Sequence, residues 1–358
     1  MWLDYIDRDL VRSGALAERI TRDALTGMTS NPTIFEKALA HGSLYDQQIA
    51  DSGLDDPWAL FELIAADDVR VACDVFHPVY ETTQGADGYV SLEVSPRVAH
   101  DTAGTVAEGR RLWALVDRPN VMIKVPATPE GIPAIRTLIA EGINVNVTLL
   151  FSTKAHAEVI EAYLSGLEAR AASGGALGHV ASVASFFVSR VDSAIDALLA
   201  ARVQAGSLRA ERAAALAGRA AIANAKLAYR LAMAAFHGPR WEALVARGAR
   251  VQRPLWASTS TKNPAYRDVM YVEQLIGPST VNTLPPATLD AFRDHGETAR
   301  TIDADVDAAV RVLAELEGEG ISLEAVTDQL LREGLASFAA SFESLLAGLS
   351  AKAVAVRA

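Results

Sequence analysis

The chain has 358 residues, half of them apolar and 22% charged, enough to bury a large core and unlike a disordered protein. Its 33 basic and 44 acidic side chains leave a formal charge of -11, which argues against a nucleic-acid-binding surface. One cysteine excludes an internal disulfide or a multi-cysteine metal site, and no run of ~18 apolar residues offers a membrane span.

Short β-rich runs alternate with longer helical patterns, the arrangement of a parallel sheet with crossover helices. Strands are predicted at 2–6, 26–30, 89–94, 120–125, 144–148, 180–185, 253–258 and 280–283. Helical patterns fill 57–83, 98–116, 130–141, 153–172 and 206–236, and charged helices at 303–318 and 322–347 close the C-terminal end. Cys73 reads as a small core residue of the first of these helices. Eight strands with intervening helices fit an α/β fold of the (β/α)8 barrel type better than a six-stranded doubly wound sheet. The expected organisation is a single barrel domain over 1–349, with an alanine-rich helical insertion at about 200–250 after the sixth strand. A tail at 350–358 is expected to fray. Residues 1–9 lack the basic-then-apolar order of a signal peptide, so a cytoplasmic protein is expected.

Several strands carry a polar face at spacing two. Asn144, Asn146 and Thr148 alternate with Val145, Val147 and Leu149, and Ser91, Glu93 and Ser95 alternate with Val90, Leu92 and Val94. Lys124 stands between Ile123 and Val125, and Asp4 between Leu3 and Tyr5. Side chains on a strand point to opposite faces in turn, so one face covers the sheet with helices and the other is left for the barrel's interior. Barrel interiors are ordinarily packed with branched apolar residues, and barrel enzymes place their chemistry at the C-terminal ends of the strands. These converging polar groups therefore point to a site.

The lysines are Lys37, Lys124, Lys154, Lys226, Lys262 and Lys352, and only Lys124 lies in mid-strand. An ammonium taken out of water is costly unless paired, and a desolvated lysine shifts toward the neutral amine that attacks a carbonyl. That is Schiff-base chemistry. The alternative is a structural ion pair with Glu93 or Asp4. Proton shuttles for such chemistry are available in Asp4 and Glu93, with Thr148 and Asn146 placed to position a water or a substrate hydroxyl. Asp4 also fits a helix cap, and Asn31 before Pro32 fits the N-cap and N1 pairing as well as a substrate contact. Arg190 and Lys262 follow the sixth and seventh strands, where barrels bind phosphate, although either position also fits a surface charge. The segment 173–178 is not a dinucleotide fingerprint, and Walker A and HExxH motifs are absent from the sequence. The seven histidines are dispersed, so neither a metal nor a cofactor is expected.

Lys124 in IKVPATPEGIPAI, followed by Glu141-Gly142-Ile143-Asn144-Val145-Asn146-Val147-Thr148-Leu149-Leu150-Phe151-Ser152, closely resembles the transaldolase signature. Met28-Thr29-Ser30-Asn31-Pro32-Thr33 is similar to that family's second-strand motif, and Val90-Ser91-Leu92-Glu93-Val94 to its third. The resemblance covers roughly residues 2–300 and is nearest to the longer subclass with an enlarged helical region after the sixth strand. It implies a barrel that moves a dihydroxyacetone unit from a ketose phosphate to an aldose phosphate, as in the pentose phosphate pathway. Carried over by motif, Lys124 forms the Schiff base, Asp4 is the acid/base at the C–C bond, and Glu93 and Thr148 hold a proton-relaying water. Asn31 and Asn146 hydrogen-bond the bound donor, with Thr29 beside them. Ser185 and Arg190 match the phosphate positions, and Ser258 aligns with a phosphate-contacting serine. Phe186 and Ser189 stand where a proline and a glycine are usual, and the arginine expected shortly after Ser258 is missing. Lys262 or Ser260 is the candidate substitute.

Two other functions are weighed. A class I aldolase of this fold would release the three-carbon unit, and such relatives carry a tyrosine near the position of Phe187 and a glutamine near that of Glu93. A non-catalytic sugar-phosphate-binding barrel would have lost Lys124, Asp4 or Glu93. The expected partners are sugar phosphates, with neither nucleic acid nor membrane, and the sequence leaves the oligomeric state open.

Overall fold

The computed structural model describes residues 1–40 and 42–357. Eight parallel strands follow one another in chain order and close into a barrel. They are β1 (Trp2–Asp4), β2 (Gly27–Thr29), β3 (Tyr89–Glu93), β4 (Val121–Pro126), β5 (Val145–Leu150), β6 (Ser182–Phe187), β7 (Arg253–Ala257) and β8 (Val281–Leu284). Closure is made by β1 on β8, with Trp2 opposite Thr283 and Leu3 opposite Leu284. Among the described residues no strand of the barrel is left with an unpaired edge.

β4 and β5 form where β-branched residues cluster, and their outward positions, Ile123, Val125, Val145 and Val147, are completely buried under helices. All eight expected strands are present. The largest offset is in β6, which runs two residues later than predicted and so brings Phe187 into the strand. At the N-terminal end the barrel is plugged by Trp2, whose indole lies against Gly27 and donates to Asp87 Oδ1 at 2.7 Å. A Cβ on Gly27 would come within 2.5 Å of that ring. This end is a packed floor.

Between β6 and β7 the chain forms four helices, Ser189–Gln204, Ala210–Leu216, Ala220–Ala235 and Gly238–Val245. The sequence pattern read 206–236 as one amphipathic stretch. Gly206 and Gly218, at φ +69 and +70, turn the chain there, and a Cβ on Gly218 would meet the Tyr266 ring at 2.7 Å. Alanine content alone does not carry a helix through two left-handed residues.

The last helix, Leu323–Arg357, is 35 residues and about 52 Å long. The expected fraying from 350 is not observed through residue 357. Lys352 Nζ lies 3.0 Å from Asp46 Oδ1, and Arg357 pairs with Asp55 at 3.0 Å and donates to the carbonyls of Ile49 and Leu54. Length and composition alone would let this helix cross a membrane, which corrects the expectation that no segment could. Its buried stripe, including Leu330, Gly334, Phe338, Phe342, Leu345 and Leu349, belongs to a helix packed against Pro32–Ala40, Asp46–Ser52, Pro57–Thr82 and β5. The helix therefore crosses the C-terminal mouth of the barrel.

Candidate active site

Asp4, Thr29 and Glu93 are the last residues of their strands, and Lys124 and Thr148 lie two residues before the ends of theirs. Parallel register brings them level: Asp4 is opposite Thr29, Glu93 opposite Lys124, and Lys124 opposite Asn146. Their common end opens into a cavity of about 130 Å³. Ten of the twelve predicted site residues line it: Asp4, Thr29, Asn31, Lys124, Thr148, Ser185, Phe187, Arg190, Ser258 and Lys262. Glu93 and Asn146 lie behind this wall and touch the groups that form it.

Lys124 is buried, with 5% exposure, and its Nζ lies 3.1 Å from Glu93 Oε2 while donating to the Ser30 carbonyl at 3.0 Å. Burial lifts the Glu93 carboxyl above the usual carboxylate range, opposed by the Lys124 charge and reinforced by Asp4. The two form a close ion pair, and among the described residues Glu93 Oε2 has no partner beyond Lys124. Thr148 Oγ1 is equally buried, and among the described residues it has no hydrogen-bond partner. Buried polar atoms are rarely left unpaired, and here both flank a polar cavity.

Asp4 is held by Thr29, whose hydroxyl donates to Asp4 Oδ1 at 2.7 Å. It does not cap a helix: Asp7 does that, accepting from Leu10 N. Asn31 caps the following helix, accepting from Ile34 N at 3.0 Å, and it also lines the cavity. Asn146 is committed within the barrel. Its amide donates to Ser91 Oγ at 2.9 Å and accepts from Ser185 Oγ at 2.7 Å, so from behind the wall it orients Ser185, which lines the cavity.

The rim opposite these carboxylates is basic. Arg190 stacks over the Phe187 ring at 5.4 Å, and among the described residues no hydrogen bond or ion pair holds its guanidinium. Desolvation lowers its pKa from the ordinary arginine value, with Glu333 acting in the other direction. Lys262 donates to Ser260 Oγ at 2.6 Å, and desolvation followed by the like charge of Arg190 pushes its ammonium below the usual lysine range. Ser258 takes a left-handed conformation at φ +56, and its hydroxyl meets that of Ser189 at 2.9 Å. A left-handed non-glycine residue costs of order 1–3 kcal/mol, a strain that concentrates at functional sites. Ser189, which replaces the usual glycine of the motif, thus braces Ser258.

Sequence reasoning missed Phe338. It lies on the C-terminal helix, lines the cavity, and places its ring centroid 6.0 Å from Lys124 Nζ. The apolar four-residue spacing of Gly334, Phe338 and Phe342 was the available signal, but spacing does not say which surface a helix covers. Leu255, Ala257, Thr283 and Pro285 also line the cavity without having been singled out.

A paired lysine, two carboxyl groups and an unengaged guanidinium around one cavity can form an imine, move protons and hold an anion. The family model described as Transaldolase/Fructose-6-phosphate aldolase matches residues 1–349. A protein named Transaldolase from Thiobacillus denitrificans is 50% identical over 97% of this chain and 96% of its own length. Transaldolases from Thermobifida fusca and Trichodesmium erythraeum are 51% and 46% identical, over 97% and 98% of this chain and 93% and 94% of their own. Motif, barrel and full-length similarity agree, and the chain belongs to the transaldolase/fructose-6-phosphate aldolase family.

Proposed function

We propose that the protein is a transaldolase, a transferase that moves a dihydroxyacetone unit from sedoheptulose 7-phosphate or fructose 6-phosphate to glyceraldehyde 3-phosphate or erythrose 4-phosphate. The reading that goes with it is a cytoplasmic enzyme. Lys124 adds to the ketose carbonyl, and the carbinolamine loses water through protons relayed by Glu93 and a water held with Thr148. The Ser30 carbonyl stays available to the iminium N–H. Asp4 removes the proton of the hydroxyl beside the scissile bond, the C–C bond breaks, and the aldose phosphate leaves an enamine on Lys124. The enamine carbon then attacks the incoming aldehyde, Asp4 returns the proton, and hydrolysis of the new imine frees the amine. Arg190, with Ser185, Ser258 and Lys262, holds the phosphate; Lys262 supplies the second positive charge in place of the missing arginine.

The observation that carries this reading is Lys124 buried in mid-strand against Glu93, with its amine facing a cavity shared with Asp4 and Arg190. Phe187 favours transfer over aldol cleavage with release, because its ring offers no proton to the enamine. The test is borohydride reduction in the presence of fructose 6-phosphate, followed by peptide mass mapping. The adduct is expected on Lys124, and an adduct on another lysine overturns the assignment.

A further inference from the structure

We propose that Phe338 is the water-excluding wall over the Lys124 enamine and thereby sets how much of the three-carbon unit is transferred instead of released; this rests on the Schiff-base reading of Lys124. Phe338 is 5% exposed, and Phe187 and Phe338 are the two aromatic residues among those lining the cavity. Phe187 is backed by Phe151, with ring centroids 5.1 Å apart. Most of the remaining lining is polar, including Asp4, Thr29, Asn31, Ser185 and Ser260. Water therefore has partners nearly everywhere in this cavity except against these two rings.

The depth of the Phe338 ring is fixed from both sides along its helix. One turn earlier, Gly334 abuts Leu149, where an added Cβ would come within 2.9 Å of Leu149 Cδ2. Leu149 itself sits at φ +56, within the irregular part of β5 between Val147 and Leu150. One turn later, Phe342 packs edge-to-face on Trp58 and Phe61, each at 5.6 Å. Ion pairs of Arg97 with Glu343 at 2.7 Å and Lys352 with Asp46 at 3.0 Å hold the same helix down. A side chain so constrained presents a fixed apolar surface 6.0 Å from the reacting nitrogen.

The enamine has two fates. Its carbon can bond to the carbonyl carbon of an aldehyde, which is transfer. Alternatively it takes a proton from water; a water molecule then adds to the resulting iminium carbon, and the C–N bond breaks to give free dihydroxyacetone and the lysine amine, with one water consumed overall. Excluding water suppresses the second route without any group that donates or accepts a proton. Phe338 is thus a positioning residue by shape alone.

The experiment measures free dihydroxyacetone against sedoheptulose 7-phosphate, with fructose 6-phosphate as donor and erythrose 4-phosphate as acceptor. It also measures release with no acceptor present. Phe338→Ala is expected to raise the ratio, and the acceptor-free release per adduct on Lys124, by about tenfold, and Phe338→Leu by about threefold. Both readouts are normalised to borohydride-trapped adduct, so they do not depend on how much protein folds, and Phe338→Leu decides if the alanine variant does not fold. An unchanged ratio with the adduct still on Lys124 overturns the wall alone. A rise seen only with acceptor present also overturns it, because Phe338 would then be an acceptor contact. Absence of any adduct in the unaltered enzyme overturns the Schiff-base reading first.

Discussion

Glu93 Oε2 lies 3.1 Å from Lys124 Nζ because the two residues are register partners on neighbouring parallel strands, both turned into the barrel. Desolvation raises the proton affinity of the Glu93 carboxyl, while the Lys124 ammonium opposes it. Among the described residues Glu93 Oε2 and Thr148 Oγ1 are buried without a hydrogen-bond partner, which motivates the proposed relay of protons through a water held by the two. Glu93→Gln should lower turnover by ~10²–10⁴-fold, the range for loss of a general acid–base group. The trapped adduct should still map to Lys124. Steady-state kinetics combined with peptide mapping checks both, and unaltered turnover would remove Glu93 from the proton relay.

Replacing the lysine separates charge from chemistry. Lys124→Arg keeps a cation beside Glu93 but stays protonated and cannot form an imine. It should be as inactive as Lys124→Ala, with no borohydride adduct in either. Residual trapping in both variants would place the Schiff base elsewhere.

Arg190 stands at the cavity rim over Phe187, and among the described residues no hydrogen bond or ion pair holds its guanidinium. Arg190→Ala should weaken binding of phosphorylated ketose by ~1.5–3 kcal/mol, the worth of a hydrogen bond to a charged group. An unphosphorylated ketose should be much less affected. Equal losses for both substrates would take Arg190 out of the phosphate site.

Phe187 forms the apolar wall contributed by β6. Phe187→Tyr places a hydroxyl in the cavity, and a donor near the enamine carbon should move the outcome toward release of dihydroxyacetone. General acid catalysis is worth ~10²–10⁴-fold, enough to change the dominant product. Following free dihydroxyacetone before and after addition of erythrose 4-phosphate measures the shift; an unmoved balance would mean that position 187 is not beside the reacting carbon.

His156 concerns stability instead of catalysis. It is fully buried against Phe186, with ring centroids 5.8 Å apart, and among the described residues neither ring nitrogen has a hydrogen-bond partner. Burial alone pushes its pKa down from 6.5 to about 4. The unfolded chain takes up a proton at this site below about 6.5 and the folded one does not, so stability falls as pH drops through that window. The loss is on the order of 3 kcal/mol by pH 4. His156→Leu should lose that much less stability between pH 7 and pH 4, as measured by denaturant midpoints at each pH. Parallel pH dependences in the two proteins would show that His156 is not the group responsible.

The sequence by itself determined the barrel and which polar groups face its interior. Strand alternation is a local property of period two, so the inward placement of Asp4, Glu93, Lys124, Asn146 and Thr148 was legible once eight strands were counted. Side-chain commitments were not. Asn146 was expected to meet a water or the substrate, and nothing in the sequence indicated that Ser91 and Ser185 would each take a bond from its amide. The helical region at 206–236 read as continuous because alanine favours helix everywhere, and the turns at Gly206 and Gly218 depend on packing such as the Tyr266 ring. The C-terminal helix is the clearest case. Its apolar stripe was visible, but only long-range packing on helices far earlier in the chain decides that it crosses the mouth, runs to residue 357 and lowers Phe338 over Lys124. Periodicity says which face of a helix is apolar; the surface that face covers is fixed by contacts hundreds of residues apart, and those exist only in the folded chain.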